Sequence, residues 1–419
     1  MSKKEFGKNV GVLAGGTMLA QVIPILISPL LTRLFNPEEF GSYAIYISLV
    51  AITAVVITLR YELAIVLPKD EEDAEKLKLL CYVSIFSFFI LLLAGAIFFG
   101  KYLSGIFRIE DREMLIYLFP FSVLFLSCYN VVLCWRTRNK EFRKVGGNRV
   151  FQSGLNSILS LSFGWLGVTS VGLVIANFIS GFFSFLKLNG GGAILKKNLV
   201  NRDSIVDTAV KYREFPKKTL PSSLLNVGYN QGKLLLIGTL FASSTAGLFA
   251  LTFRVIQTPI NVVSSAIADV LFQDIANLVN LNEYYQIKKR IFRLLLVLIL
   301  LGFAPALILY FYGQTIFKYI FGEEWQSAGQ YASIMSLGFF SMFVGTPFCK
   351  IFYSLKRNGT YLIWEIVRAV ILLLLIGFVY VNNMGGVHVA WAISLGLFLS
   401  YLLLVVMMLS IVGKLGEES

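Results

Sequence analysis

Residues 34–44 read LFNPEEFGSYA, and residues 240–250 read LFASSTAGLFA. Leu34-Phe35, Gly41 and Tyr43-Ala44 of the first stretch align with Leu240-Phe241, Gly247 and Phe249-Ala250 of the second. The offset is constant and close to half of the 419-residue chain. Each copy forms a turn between two long apolar stretches. Chance similarity in an apolar sequence is the competing explanation, and the matched position of both turns weighs against it. A duplicated turn of this kind predicts two halves of like topology, related by an axis along the membrane normal.

The chain around these turns is too apolar for a soluble core. Hydrophobic residues make up 57% and charged residues 15%, against roughly 45–50% and about 25% in soluble domains. Mean hydropathy is +0.74. A soluble enzyme, a disordered chain and a secreted disulfide scaffold are excluded, which leaves an all-α integral membrane protein. About twelve stretches reach the ~20 residues that cross a bilayer. They fall near 10–33, 42–66, 77–99, 114–135, 149–165, 168–186, 219–241, 247–272, 291–312, 328–352, 359–381 and 388–411. The first follows the basic segment MSKKEFGKN and reads as a retained span, not a cleaved signal. The expected domains are an N-terminal six-helix bundle over 1–186, a basic cytoplasmic linker over 187–218 and a C-terminal six-helix bundle over 219–419. The two parallel bundles are expected to surround a central cavity.

The net charge of +13 is first a matter of topology. With the N-terminus inside, the segments 1–9, 67–78, 136–149, 187–218, 274–290, 353–360 and the tail hold 26 Lys and Arg, while the outside loops hold 4. That asymmetry is the positive-inside pattern. It places both termini in the cytoplasm and needs no nucleic-acid partner to explain the charge. Cys81, Cys128, Cys134 and Cys349 lie in or beside spans without paired spacing, and His388 is the single histidine. Disulfides, metals, cofactors and a catalytic triad are therefore not expected. No loop is long enough to fold as a domain, since even small ones need ~40 residues.

Seven basic residues remain inside the spans: Arg33, Arg60, Lys233, Arg254, Arg293, Lys350 and Arg368. Each costs about 2.5–3.5 kcal/mol at the bilayer centre unless it finds water or a partner. Arg293 and Lys350, near helix ends, can snorkel, and so can Arg33. Lys233 shares a helical face with Asn226 and Asn230, and Arg254 continues into Gln257, Asn261 and Ser264. Two readings fit these stripes: the lining of a hydrated cavity, or polar cross-links between helices. Weaker stripes are Thr17, Gln21, Pro24 and Ser28, and Asn148, Gln152, Asn156 and Ser160, the last favouring cross-links because it carries no cation. Arg60 and Glu62, two apart on a helix, would point to different sides and need separate partners. Glu365 and Arg368, three apart, can pair within one helix. Asp269 and Asp274 lie near a helix end, where solvation suffices. Deep cations outnumber deep acids, so a cavity built from them favours an anion such as a phosphate or diphosphate.

Several motifs together carry a family resemblance: SPLLTRLFNPEEFGSYAIYISL at 28–49, LRYELAIVLP at 59–68, LPSSLLN at 220–226, GLFALTFRVIQTPINVVSSAIADVLFQ at 247–273 and FGEEWQSAGQYASIM at 321–335. The chain resembles the Wzx-like polysaccharide flippases of the multidrug/oligosaccharidyl-lipid/polysaccharide exporter superfamily. The resemblance implies a twelve-helix transporter that moves an undecaprenyl-diphosphate-linked oligosaccharide from the inner to the outer leaflet of a prokaryotic cytoplasmic membrane. O-antigen, capsule, teichoic and exopolysaccharide units are all compatible cargo. Membrane lipids, a glycan polymerase and chain-length machinery are the expected partners. By the same resemblance Arg60 and Arg254 hold the diphosphate, with Lys233 and Arg33 as further candidates and Asn226, Asn230, Gln257 and Asn261 on the sugar. Ion coupling is expected at Glu62, Asp269, Glu365 or Arg368. A drug or organic-cation antiporter on the same fold would show deep carboxylates and an aromatic cage. A membrane glycan polymerase or ligase, an enzyme, would need a large outside loop.

Overall fold

The computed structural model describes residues 3–106, 114–190, 202–355 and 357–414, and these are almost entirely helical. Parts of the expected outside loop 100–113 and linker 187–218, and the last tail residues, lie outside the described residues. The chain forms two compact units, Met1–Gly247 and Leu248–Ser419. Among the described residues nine helices are long and apolar enough to cross a membrane, and a tenth span is broken by a bend of 54°. Two further helices of crossing length, α5 and α8 below, are less apolar. With them the count reaches the twelve expected. The two exceptions are the spans that carry the densest polar stripes.

Unit 1 begins with α1 (Lys3–Leu31) and α2 (Pro37–Ile57), joined by the first repeat turn. The turn is fixed by its own chemistry. Asn36 Oδ1 accepts from the Glu39 N–H at 2.9 Å, Glu39 Oε2 accepts from the Asn36 N–H at 3.0 Å, and Pro37 occupies the first helical position. This capping box satisfies backbone donors that would otherwise be orphaned. The unit continues through α3 (Glu71–Ile106), α4 (Met114–Arg138), α5 (Phe142–Trp165) and α6 (Ser170–Asn189). Then come a short α7 (Arg202–Lys211) and α8 (Leu220–Leu240). Its core gathers Tyr46, Ile57, Ile65, Cys81, Leu115, Val123, Val131 and Val174.

One expectation changes here. The second span does not run on to residue 66. α2 stops at Ile57, Leu59 and Arg60 take left-handed backbone at φ 49° and 62°, and Tyr61–Val66 forms a 3-10 helix. Arg138, at the end of α4, donates to the carbonyls of Ile65 (3.1 Å) and Pro68 (2.5 Å) and so fixes the end of this segment. The described part of the linker is docked. Ile205 and Ala209 of α7 pack on the unit 1 core, the Tyr61 hydroxyl donates to the Ala209 carbonyl at 3.3 Å, and Lys211 pairs with Asp73 at 2.5 Å. α8 lies along α2, where Gly238 leaves room for Ile45 and the Ser48 hydroxyl donates to Gln231 Oε1 at 3.4 Å.

α9 (Ser243–Thr252) leads into unit 2, which holds α10 (Thr258–Asn280), α11 (Tyr284–Phe321), α12 (Gln326–Ile334), α13 (Ser336–Gly345), α14 (Ile351–Ser354), α15 (Asn358–Val381) and α16 (Gly386–Lys414). Phe253–Gln257, between α9 and α10, is a π-turn, as is Phe215–Thr219 before α8. Each ends two residues before a proline, Pro259 or Pro221. Proline has no N–H to continue the i→i−4 ladder, and the widened turn accommodates the break.

Candidate functional site

A polar site lies inside unit 1, between α1, α5 and α6. Gly16 and Gly146 bring α1 and α5 together: a Cβ on Gly16 would sit 2.8 Å from the Gly146 Cα. One residue beyond Gly16 is Thr17, and three beyond Gly146 is Arg149. At this spacing Arg149 Nη1 donates to Thr17 Oγ1 at 2.7 Å. Further along α1, Pro24 cannot donate to the carbonyl of Ala20. The Ser153 hydroxyl of α5 donates to that carbonyl instead, at 2.6 Å. Beside these links a cavity of about 350 Å³ opens, lined by Thr17, Gln21, Arg149, Gln152, Ser153, Asn156, Asn177 and Ser180 with Ala20. Asn156 Oδ1 is buried and has no hydrogen-bond partner. Gln152 and Asn177 also line a second cavity of about 140 Å³, whose walls include Phe125, Tyr129 and Phe178.

The sequence reading places Arg149 at the end of a cytoplasmic segment. α5 begins at Phe142, so Arg149 is about two turns inside the helix. The α5 stripe therefore does carry a cation, and it divides between the two readings offered for it. Asn148 is buried and donates to Ser184 Oγ at 2.6 Å, which is a cross-link. Gln152 and Asn156 line the cavity. The spacing of Arg149, Gln152, Ser153 and Asn156 on one helical face is the signal available in the sequence.

The other candidates of unit 1 are dispersed. Arg60 and Glu62 do not point apart: Arg60 Nη1 meets Glu62 Oε1 at 3.0 Å. The left-handed break at Leu59–Arg60 replaces the continuous helix expected from the sequence and turns Arg60 back on its neighbour. Arg60 keeps 20% of its side chain exposed and Glu62 2%, and Arg60 Nε and Glu62 Oε2 are buried without a hydrogen-bond partner. Lys233 is 2% exposed, with its ammonium 5.0 Å from the Tyr229 ring centroid. Asn226 and Asn230 are exposed and bonded to each other, Nδ2 of Asn230 to Oδ1 of Asn226 at 3.2 Å. The stripe expected on α8 is thus split between a buried cation and two open amides. Arg33 is exposed at the end of α1.

In unit 2, Arg254 and Gln257 lie on the π-turn and are half-buried, while Asn261 is exposed. Ser264 completes the stripe in a buried position with an unpartnered hydroxyl. The intrahelical pair on α15 is present: Arg368 Nη2 donates to Glu365 Oε1 at 3.3 Å, with 9% and 11% of the side chains exposed. The Arg368 guanidinium also lies 4.5 Å from the Trp364 ring centroid, and Trp364 Nε1 donates to the Ser400 carbonyl at 2.6 Å. Asp269 pairs with Lys350, and Asp274 with Arg290, all at least partly exposed. These acids are held by surface ion pairs.

An all-helical membrane protein with cations and amides built into its spans belongs among the multi-span proteins organised around internal polar sites. The sequence profile of the polysaccharide biosynthesis protein family matches residues 30–330, and the chain belongs to that family. None of the curated proteins compared with it matches its sequence. Its fold is similar to that of a multidrug resistance MATE family transporter of the MOP superfamily in an inward-facing conformation, with a TM-score of 0.71 and 15% identity over 96% of each chain. It is similar to that of the lipid II flippase MurJ in an inward closed conformation, with a TM-score of 0.73 and 13% identity over 94% of this chain and 87% of the other. The MATE multidrug transporter DinF-BH has a TM-score of 0.65 at 13% identity over 97% of this chain and 96% of the other.

Proposed function

We propose that this protein moves an oligosaccharide carried on undecaprenyl diphosphate from the cytoplasmic to the outer leaflet of the cytoplasmic membrane. The observation that carries this reading is the polar cavity of unit 1. It is lined by amides, hydroxyls and one guanidinium, with no carboxylate among its lining residues. Such a lining suits sugars and anions and repels organic cations. Membership of a polysaccharide biosynthesis family supports the same cargo. The repeat supports two related six-helix halves, with α8 belonging to the second, and the asymmetry of Lys and Arg between alternate loops supports cytoplasmic termini. Alternating access of those halves delivers the headgroup, while the isoprenoid chain stays in lipid.

Arg60, Lys233 and Arg254 hold the diphosphate, with Arg33 at the entrance, and Asn226, Asn230, Gln257 and Asn261 contact the glycan. Since Lys233 is covered in this structure, it acts on substrate once α8 has moved. A glycan polymerase and chain-length machinery take the product. Lys233→Ala or Arg254→Ala should make cells accumulate lipid-linked oligosaccharide on the cytoplasmic side. Full export by both variants at normal protein levels overturns the assignment.

The antiporter reading has the MATE-like fold in its favour. It needs a deep carboxylate free to meet a cation, and the buried Glu62 and Glu365 are each paired with an arginine. Resistance assays in cells without endogenous pumps separate the two readings.

A further inference from the structure

We propose that the two cavities of unit 1 that share Gln152 and Asn177 form a binding site for a single sugar residue carrying one acidic group, a carboxylate or a phosphate monoester, with Arg149 as the residue that reads the acid. This deepens the glycan-export reading and rests on it for the identity of the ligand as cargo. The inference starts from the balance of donors and acceptors. Ser153 and Ser180 spend their hydroxyl protons on the carbonyls of Ala20 (2.6 Å) and Asn177 (2.9 Å), so their oxygens face the ligand as acceptors. Gln21, Gln152, Asn156 and Asn177 offer carboxamides, each able to donate and accept. Asn156 Oδ1 is buried with no protein partner, so this amide is not committed to a link between helices.

Arg149 uses Nη1 on Thr17 and also lies at the Tyr129 hydroxyl, and its planar fork has five N–H donors in all. A fork of this shape matches a carboxylate or phosphate in two-pronged fashion. One guanidinium fork engages one acidic group at a time, which fits a single carboxylate or phosphate better than the two phosphates of a diphosphate. A metal or organic cation is disfavoured because no carboxylate lines the cavity.

The second compartment argues for a sugar and not a free anion. Phe125 and Phe178 meet edge to face at 5.6 Å, and with Tyr129 they wall the part of the cavity beyond Gln152 and Asn177. A pyranose has a rim of hydroxyls and an apolar C–H face. The amide-lined compartment of about 350 Å³ and the ring-lined one of about 140 Å³ offer a counterpart to each. The combined space is within the ~300–1,000 Å³ typical of small-ligand pockets.

The test is ligand-observed saturation-transfer NMR on the full-length protein in nanodiscs, with glucuronate, glucose, glucose 6-phosphate and inorganic phosphate as probes. Glucuronate and glucose 6-phosphate should bind at least tenfold tighter than glucose. Arg149→Gln should remove that preference while leaving glucose binding in place, and Asn177→Ala should weaken all three sugars. Arg149→Lys keeps a cation without the planar fork and should keep part of the preference; an unchanged preference in Arg149→Gln overturns the proposal. Equal affinity for glucose and glucuronate in the wild type, displacement of glucuronate by inorganic phosphate without any glucose binding, or no binding by a protein with normal melting also overturns it. Loss of export in Lys233→Ala without sugar binding here removes this site and keeps the exporter. Sugar binding here with full export by Lys233→Ala, Arg254→Ala and Arg149→Gln keeps the site and removes the exporter.

Discussion

Gly41 and Gly247, equivalent residues of the internal repeat, lie backbone to backbone and exchange equivalent partners. A Cβ on Gly41 would come within 1.6 Å of the Ser243 carbonyl oxygen and 2.9 Å of the Gly247 nitrogen. One on Gly247 would come within 1.8 Å of the Pro37 carbonyl oxygen and 2.8 Å of the Gly41 nitrogen. Pro37 and Ser243 are themselves equivalent in the repeat. This reciprocity is the signature of a two-fold, isologous contact. Chance similarity of two apolar turns does not explain why matched residues trade matched neighbours. The glycines are required because the first turns of α2 and α9 cross at a distance that leaves no room for a side chain.

Gly41→Ala and Gly247→Ala should therefore both be strongly destabilising, beyond the ~1–3 kcal/mol of ordinary overpacking, because the obstacle is backbone and cannot rotate away. Gly95→Ala on α3, where nothing lies within 4 Å of an added Cβ, is the matched control. Melting of the purified proteins in detergent reads the difference. A Gly41→Ala protein that melts with the control would show that the two turns are not held at this distance.

The Pro24–Ser153 relationship gives a second test, by double-mutant cycle. Ser153→Ala strips the Ala20 carbonyl of its donor and should cost about 0.6–1.7 kcal/mol, the range for hydrogen bonds between membrane helices. Pro24→Ala restores an N–H that can reach the same carbonyl within α1. In that background Ser153→Ala should cost appreciably less. Equal costs in both backgrounds would show that Ser153 matters for another reason.

The limits of sequence reading follow from what hydropathy can and cannot register. Spans are legible because a bilayer imposes length and apolarity: each of the twelve stretches falls on a helix or a broken helix, although several ends differ by six to nine residues. The start of α5 reads late because Arg143, Lys144 and Arg149 lower the local hydropathy as a loop would, which hides Arg149 from the tally of cations inside spans. The break after Ile57 is hidden for the opposite reason. Tyr61–Val66 is as apolar as a continuing span, and neither the left-handed entry at Leu59–Arg60 nor the Arg138 contacts that fix its far end register in hydropathy. Lys233 shows a third limit. Helical spacing puts it on a face with Asn226 and Asn230, while the packing of α8 on α2 decides which part of that face is covered.

The Arg60–Glu62 pair should behave as a unit. Removing one member leaves the other charge buried, a loss of about 3 kcal/mol at the lower end for broken buried pairs, since Arg60 remains 20% exposed. Arg60→Ala and Glu62→Ala should each lower stability by this order, and the double variant should be less harmed than the sum of the two. Arg60→Gly should recover part of its loss, because glycine carries no penalty in the left-handed region that Arg60 occupies at φ 62°. Additive losses in the double variant would show that the charges do not depend on each other.

The docking of α7 makes a prediction about pH. The hydrogen bond to Asp73 raises the pKa of Lys211 above its ordinary 10.5. A lysine raised in the folded state contributes its stabilisation fully below the unfolded value and loses it as pH rises through the folded one. A spin label at Val210, which is exposed on α7, should therefore report the same mobility from pH 7 to 9 and greater mobility above the ordinary lysine range. Lys211→Ala should show the mobile spectrum already at pH 7. Unchanged mobility in Lys211→Ala would leave the Tyr61–Ala209 hydrogen bond and apolar contacts as the whole of the attachment.

On the export reading proposed above, Glu365 and Arg368 are the pair in unit 2 that would couple transport to an ion. Both are nearly buried, and the ion pair contributes to the charge compensation of each. Protonating Glu365 removes one half of that balance while Arg368 remains fixed near the Trp364 ring, and Trp364 is anchored on α16 through Ser400. A change of charge at Glu365 thus bears on the contact between α15 and α16, which is the kind of two-state element a coupling ion must bias. Glu365→Gln imitates the protonated state and can still accept the hydrogen bond from Arg368, so the protein should fold and melt within a few degrees of the wild type. Export in cells should fall in the wild type when an ionophore collapses the proton gradient and should be insensitive to the ionophore in Glu365→Gln. Asp269→Asn, which loosens an exposed pair with Lys350, should leave the wild-type dependence intact. If export by Glu365→Gln follows the gradient as the wild type does, the coupling group lies elsewhere and the α15 pair is a structural one.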